Sequence, residues 1–420
     1  MEFITAAQAA EQWNISQRRV QILCAEGRIP GVFKLGDAWA IPSTASKPCD
    51  SRLKELRNLK TRLNVIDLFC GCGGFSKGFE QAGYNIKLGV DNWDDATTTY
   101  KENFPFAETI VKDISKLDGK ELLSIAKMNP SEVDVIIGGP PCQGFSLSGK
   151  RLLDDPRNTL YKSFVRIVQE IRPKAFVMEN VPGLIKLFKG QVKDRIIEDF
   201  ANIGYQVEMS QLVASDYGVP QGRKRVFFVG LNKCAQFNPT YVFPLPTHGE
   251  NKKAYITCEE ALSDLDFIGD TRLLPNVSEY ELPAITEYQK LMRKNSQKLL
   301  NHVTTIHTEK TRKIIGMVPD GGNYKDLPTE LWTTRKVNIA WTRMNSEKVC
   351  FTIDTGHNHH FHYRANRVPT VRESARIQSF PDDFKFVGNK TSQLKQVGNA
   401  VPPLLAQAIA ESLIEIIGGE

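Results

Sequence analysis

The feature that most limits what this chain can fold into is the run at 133–150, VDVIIGGPPCQGFSLSGK. Residues 133–137 form a short, mainly apolar run that closes on Gly138 and Gly139, which fits a buried strand ending at a loop. Pro140 and Pro141 cannot extend that strand, so they turn the chain and hold Cys142 just beyond its carboxyl end. In an open α/β sheet, ligands and reacting groups collect at that end. A lone loop cysteine is ordinarily an inert small hydrophobe, so any chemistry assigned to Cys142 has to be supported by the rest of the chain.

At 420 residues and 41% hydrophobic content the chain can bury a sizeable core, and two or more domains are expected. No stretch approaches ~18 consecutive apolar residues, and MEFITAAQAAEQW lacks a basic start followed by an apolar block, so a soluble intracellular protein with no membrane association is expected. The eight cysteines form no CxxC pairs, which points to reduced thiols rather than a zinc ribbon or disulfide framework. The cluster at 357–362, HNHHFH, lacks nearby cysteines and the helical spacing of a zinc site, so no metal is expected. A net charge of +6 permits a polyanionic partner without requiring one.

Residues 1–42 read as a separate module. Thr5 can cap a helix whose apolar positions Ala6, Ala9, Ala10 and Trp13 follow helical spacing, and Asn14 breaks it. Ser16 caps a second helix, stapled by Ile15 and Val20 and ended by Gly27. Residues 32–35 and 38–41 then read as two short strands around a turn at Gly36-Asp37. This order resembles the winged helix-turn-helix of excisionase-like and MerR-like DNA-binding domains, which would make Arg18 and Arg19 DNA contacts. Residues 43–62 read as a basic linker, and 1–62 carry ten Lys/Arg against six Asp/Glu, most of the chain's positive excess.

A buried-strand pattern, LNVIDLF at 63–69, runs into Cys70-Gly71-Cys72-Gly73-Gly74 and a helix from Phe75. Glycines at a strand-to-helix turn let the backbone approach a ligand, and free amide groups at the helix start attract a negative group. The turn lacks the GxGxxG order of a pyrophosphate site. A second strand at 86–90 ends in Asp91, where a carboxylate can accept two ribose hydroxyls, and Asn92 and Trp93 follow as cover for a flat ring.

Gly139-Pro140-Pro141-Cys142-Gln143-Gly144-Phe145-Ser146 resembles the nucleophile loop of the DNA cytosine carbon-5 methyltransferases, here of bacterial restriction-modification type. Asp67-Leu68-Phe69 with its glycine turn resembles that family's first motif, Glu179-Asn180-Val181 its second catalytic signature, and Gln221-Gly222-Arg223-Lys224-Arg225 its arginine motif. Residues 154–160, 367–381 and 396–403 match further motifs. The resemblance implies an α/β fold: a doubly wound S-adenosylmethionine-dependent methyltransferase (Rossmann-like) domain with a smaller target-recognition domain, behind the N-terminal winged helix-turn-helix. The corresponding boundaries are 63–230 and 358–420 for the catalytic domain and 231–357 for target recognition.

It also implies roles. Cys142 would add as thiolate to carbon 6 of a flipped-out cytosine, and Glu179, its pKa raised by burial, would protonate or hydrogen-bond ring nitrogen 3. Arg223 and Arg225 would hold the cytosine carbonyl and a flanking phosphate. Phe69, Gly71, Cys72, Gly74, Asp91, Asn92, Trp93, Asp113, Ile114, Gly139, Pro141, Leu160, Asn399, Ala400 and Val401 would bind S-adenosyl-L-methionine, with Gly398 opening the final helix. Gln143, Ser146 and Gln221 would touch DNA. The implied partner is double-stranded DNA, bound by a cytoplasmic monomer, with a cognate restriction endonuclease acting separately. Two other readings stay open at this point: a tRNA cytosine-5 methyltransferase and a non-enzymatic DNA-binding regulator.

Overall fold

The computed structural model describes residues 3–13, 17–25, 29, 31–36, 38–43, 45, 63–141, 159–234, 240–332, 341–355 and 360–418. The chain divides into two compact units, Met1–Arg62 and Leu63–Glu420.

In the first unit, helix Ala6–Gln12 starts at a capping box: the Thr5 hydroxyl accepts from the Gln8 amide, and the Gln8 side chain accepts from the Thr5 amide at 2.9 Å. That satisfies two amide groups at a helix start that would otherwise lack partners. Its apolar stripe, Ala6, Ala9 and Ala10 with Trp13, is buried against Val20, Leu23 and Cys24 of helix Gln17–Ala25. Strands β2 (Phe33–Leu35) and β3 (Ala38–Pro42) pair antiparallel. A further strand, β1 (Phe3–Thr5), pairs with β3. The sequence pattern did not announce β1, because three residues are too few to show alternation. Asn14, Ile15, Ser16, Gly27, Asp37 and the linker from 46 to 62 lie outside the described residues.

The second unit is built on β4 (Asn64–Leu68), β5 (Asn85–Asp91), β6 (Glu108–Val111), β7 (Val135–Gly138), β8 (Ala175–Asn180), β9 (Tyr205–Val213) and β10 (Lys224–Asn232). They form one sheet in the order β6-β5-β4-β7-β8-β10-β9. From β6 to β8 the pairs are parallel, whereas β10 runs antiparallel to both β8 and β9. The sheet is therefore mixed, its parallel part carrying an antiparallel edge, as doubly wound α/β sheets often do. β9 was not among the strands read from the sequence, and most of its residues are half-buried.

Period-two alternation feeds two cores. Val65, Ile137, Val177 and Phe227 face helices Gly74–Gln81 and Pro403–Ile417. Ile66, Ile136, Phe176 and Phe228 face Gly119–Ala126, Thr159–Ile171 and Gln191–Asn202. Phe176 stacks on Phe200 at 3.9 Å between ring centroids, and truncating such a ring to alanine costs about 3–5 kcal/mol. The apolar stretch Lys390–Ile417 meets the length and composition of a membrane span, but half of it is buried and it contains two helices interrupted near Ala400.

A smaller core gathers Cys258, Leu262, Tyr288, Met292, Met344, Ile353, Tyr363 and Ile377. Short helices dominate here, and a parallel pair links Thr342 to His360 and Arg343 to Phe361. That pair joins residues on either side of the expected boundary at 357. Helix Val371–Ile377 sits between the cores, giving Ile377 to the smaller one and Val371 and Ala375 to the sheet core. One expectation fails locally. Gly398 lies inside helix Lys390–Asn399 and opens no turn. A Cβ there would come within 2.2 Å of the Asp354 carbonyl oxygen, so the glycine serves a close backbone approach.

Candidate active site

The carboxyl ends of β4, β5, β7 and β8 surround a cavity of about 710 Å³, within the range of pockets that hold a cofactor-sized ligand. At one end, β4 stops at Phe69, a non-glycine residue at φ +61°, and the chain turns through Gly71 into helix Gly74–Gln81. Asp91, at the end of β5, fixes that turn. Its Oδ2 accepts from the Gly71 amide and its Oδ1 from the Trp93 amide, each at 2.9 Å. Burial pushes the Asp91 pKa up, while these amide bonds pull it down. Each oxygen keeps a lone pair for a hydroxyl.

Phe69, Gly71, Cys72, Gly74, Asp91, Asn92, Trp93, Asp113, Ile114, Gly139, Pro141, Leu160, Asn399, Ala400 and Val401 all line this cavity. Asp113 accepts from Ser115 through its amide at 3.0 Å and its hydroxyl at 2.8 Å, and these bonds lower its pKa. The donor set matches a zwitterionic nucleoside ligand: amides at a helix start, two carboxylates at successive strand ends, and an indole ring.

At the other end, Glu179 Oε1 meets Arg225 Nε at 2.7 Å, with both side chains mostly buried. Glu179 Oε2 lies where a Cβ on residue 139 would come within 3.0 Å, so Gly139 leaves room for the carboxyl. The expectation pictured Glu179 enclosed by burial; the structure adds a guanidinium partner to that mostly buried carboxyl. Asn180 spans the strand ends, donating from Nδ2 to the Pro140 carbonyl at 3.0 Å, which braces the turn leading to residue 142. Pro141 lines the cavity, while Cys142, Gln143 and Ser146 lie outside the described residues, as do residues 142–158 as a whole. Burial pushes the Cys72 thiol up to about 12 and the Cys70 thiol well above its ordinary value, so neither pocket cysteine supplies a thiolate.

Two expected roles are corrected. Arg223 is buried outside the cavity, donating to the carbonyls of Ile353 at 3.2 Å and Gly398 at 2.8 Å. Gln221 is fully buried too, donating to Gln378 at 2.5 Å and accepting from the Ile353 amide at 3.1 Å. Backbone carbonyls and amides from distant segments claim both side chains, so neither faces DNA or substrate. Arg18 is exposed on helix Gln17–Ala25; Arg19 lies in the same helix, its side chain outside the described set.

Sequence reasoning gave no individual site role to Lys112, Asn180, Val181, Thr355, Lys395 or Gln396, all of which line the cavity. Asn180, Val181 and Gln396 lie inside motifs already read, and Lys112 and Lys395 stand directly beside motif residues, so extending each motif would have found them. Thr355 had no such signal.

A family description, C-5 cytosine-specific DNA methylase, matches residues 63–415. The chain is 42% identical over 373 residues to the Type II methyltransferase M.DdeI of Desulfomicrobium norvegicum, covering 84% of this chain and 88% of that one. It is 41% identical over 359 residues to M1.HphI of Haemophilus parahaemolyticus, covering 84% and 87%. A crystal structure of an E. coli prophage protein described as a DNA modification methyltransferase superposes with a TM-score of 0.71 at 28% identity, covering 85% of this chain and 99% of that one.

Proposed function

The chain belongs to the C-5 cytosine-specific DNA methylases and is a DNA (cytosine-5-)-methyltransferase like those of Type II restriction-modification systems; from that premise we propose that it methylates a flipped-out cytosine in a specific duplex sequence through a covalent adduct at Cys142. The observation that carries this reading is the joining, in one cavity, of an adenosyl-type wall (Asp91, Trp93, Asp113) with the Glu179–Arg225 pair and the residue preceding Cys142.

Carbon 5 of cytosine is a weak nucleophile. Addition of the Cys142 thiolate to carbon 6 moves an electron pair through carbon 5 toward ring nitrogen 3 and makes carbon 5 an enamine carbon. Glu179 hydrogen-bonds or protonates nitrogen 3, and Arg225, held to Glu179, both orients that carboxyl and presents guanidinium N–H groups to the base. S-adenosyl-L-methionine, bound by Asp91, Asp113, Trp93 and the Gly71–Gly74 turn, supplies the electrophilic methyl group. Loss of the carbon 5 proton then expels the Cys142 thiolate and restores the aromatic ring. The ring face is closed in a stacked duplex, so the base must leave the helix to reach this cavity.

We further read residues 231–357 as the base-reading region, Met1–Arg62 as a winged helix-turn-helix that adds phosphate contacts through Arg18 and Arg19, and the enzyme as a cytoplasmic monomer. A cognate endonuclease would act separately. The DNA-modifying relatives favour duplex DNA over tRNA. Duplex containing 5-fluorocytosine at the methylated position should trap the enzyme as a denaturation-stable adduct, because fluorine cannot leave as a proton does. Cys142→Ser should form none. Failure of the wild-type protein to form the adduct at a site it demonstrably methylates would sink the covalent route, and methylation of tRNA but not duplex would reassign the substrate.

A further inference from the structure

We propose that segment 350–355 is a strap whose Thr355 hydroxyl contacts the extruded nucleotide, and that Gln221 and Arg223 are positioning residues that hold the strap against the catalytic sheet. The proposal rests on the methyltransferase reading and deepens it.

The strap crosses from the smaller core to the cavity. Cys350 and Ile353 are buried in the smaller core, whereas Thr355 is exposed and lines the cavity that also contains Glu179 and Arg225. Four polar ties hold its course. The Cys350 amide donates to the Pro220 carbonyl at 3.0 Å, and the Gly222 amide donates to the Cys350 carbonyl at 2.8 Å. The Ile353 amide donates to Gln221 Oε1 at 3.1 Å, and Arg223 donates to the Ile353 carbonyl at 3.2 Å. Arg223 also reaches the Gly398 carbonyl at 2.8 Å, so one buried guanidinium joins the strap to the helix that ends in Asn399. A Cβ on residue 398 would come within 2.9 Å of the Thr355 amide nitrogen, which fixes where Thr355 meets the cavity wall.

The choice of ligand follows from what the cavity lining offers. The charged groups of a bound cofactor would find partners on the sheet at Gly71, Asp91 and Asp113. Thr355 belongs to a segment anchored in the smaller core, is open to solvent, and offers a hydroxyl that can donate to a phosphate or accept from a base edge. A nucleotide entering from bulk solvent meets that exposed hydroxyl. Buried side chains bonded only to other parts of the protein touch no substrate, so any effect of Gln221 or Arg223 on catalysis has to act through the strap.

The experiment is steady-state methyl transfer by the full-length protein, with S-adenosyl-L-methionine affinity measured separately by equilibrium binding. Thr355→Val keeps the shape and removes the hydroxyl. The expected result is a KM for duplex DNA raised roughly threefold to tenfold, the worth of one hydrogen bond, with cofactor affinity within twofold and recovery in Thr355→Ser. Arg223→Lys should raise the KM for DNA in the same direction with the melting temperature changed little. An unchanged KM for DNA in Thr355→Val, or a loss confined to cofactor affinity, overturns the proposal. If the wild-type protein transfers no methyl group to carbon 5 of duplex cytosine, the functional reading itself fails, a result separable from a silent Thr355→Val.

Discussion

The cavity rim and helix Val371–Ile377 both pair Arg with Glu, yet they use those residues in opposite ways. At the rim, Glu179 pairs with Arg225 and both side chains line the space where a base can enter. In and beside the helix, Arg367 holds Glu373 through two bonds of 2.7 and 2.6 Å with both side chains fully buried. Arg376 likewise bridges Asp264 and Asp382, and Arg372 donates to the carbonyls of Leu300, Pro381 and Phe384. A buried charge is tolerable only when its hydrogen-bonding capacity is met, and here carboxylates and backbone from several segments meet it. A motif rich in charge therefore marks either chemistry or a brace, and exposure to the cavity decides which.

The largest expected effect on activity is at Glu179. Glu179→Gln should lower kcat by about 10²–10⁴ while leaving the urea midpoint nearly unchanged, since it removes a proton-handling group but keeps the side chain's size and an acceptor oxygen for Arg225. A fall in stability with kcat preserved would reverse the assignment. Arg376→Met should do the opposite, destabilising by about 3–5 kcal/mol because Asp264 and Asp382 lose a shared partner inside the core. Equilibrium urea unfolding of both variants tests the contrast directly, and a midpoint for Arg376→Met equal to wild type would break it.

Acid–base behaviour sharpens the same contrast. Burial would raise the Asp382 pKa, yet the Arg376 charge and hydrogen bonds hold it down to about 2. Its folded pKa is below the ordinary aspartate value of 3.8, so its stabilisation is present above pH 3.8 and is lost as pH falls toward 2. Asp67, beneath the glycine turn, has no such cation among the described residues. Burial pushes it up to about 8 against the hydrogen bond that Ser76 donates at 2.6 Å. The folded state therefore holds a proton that the unfolded state releases between pH 3.8 and about 8, and stability declines as pH rises through that window. Asp67→Asn should flatten the decline when melting temperatures are compared at pH 5 and pH 8; an unaltered slope would remove Asp67 as its source.

The smallest effect concerns the first unit. Removing residues 1–62 should leave the methylated sequence unchanged but make the plot of log affinity against log salt shallower, by about 0.9 for each phosphate that is no longer neutralised. An identical slope on long duplex would take the module off the substrate DNA.

Much of this molecule was legible before any coordinates. Strands β4, β5, β7, β8 and β10, the glycine turn, and the helix capped by Thr5 follow from apolar period and turn chemistry acting within about ten residues. The strand ends then bring Asp91, Asp113 and Glu179 to one rim, since a sheet with both faces covered collects ligands there. Tertiary structure alone decided the fate of Gln221 and Arg223, the antiparallel course of β10, and the arrival of Thr355 at the cavity. The reason is physical. A polar side chain written in a motif shows what bonds it can make, but whether it meets substrate or a buried carbonyl depends on segments more than a hundred residues away, such as Ile353 and Gly398 for Arg223.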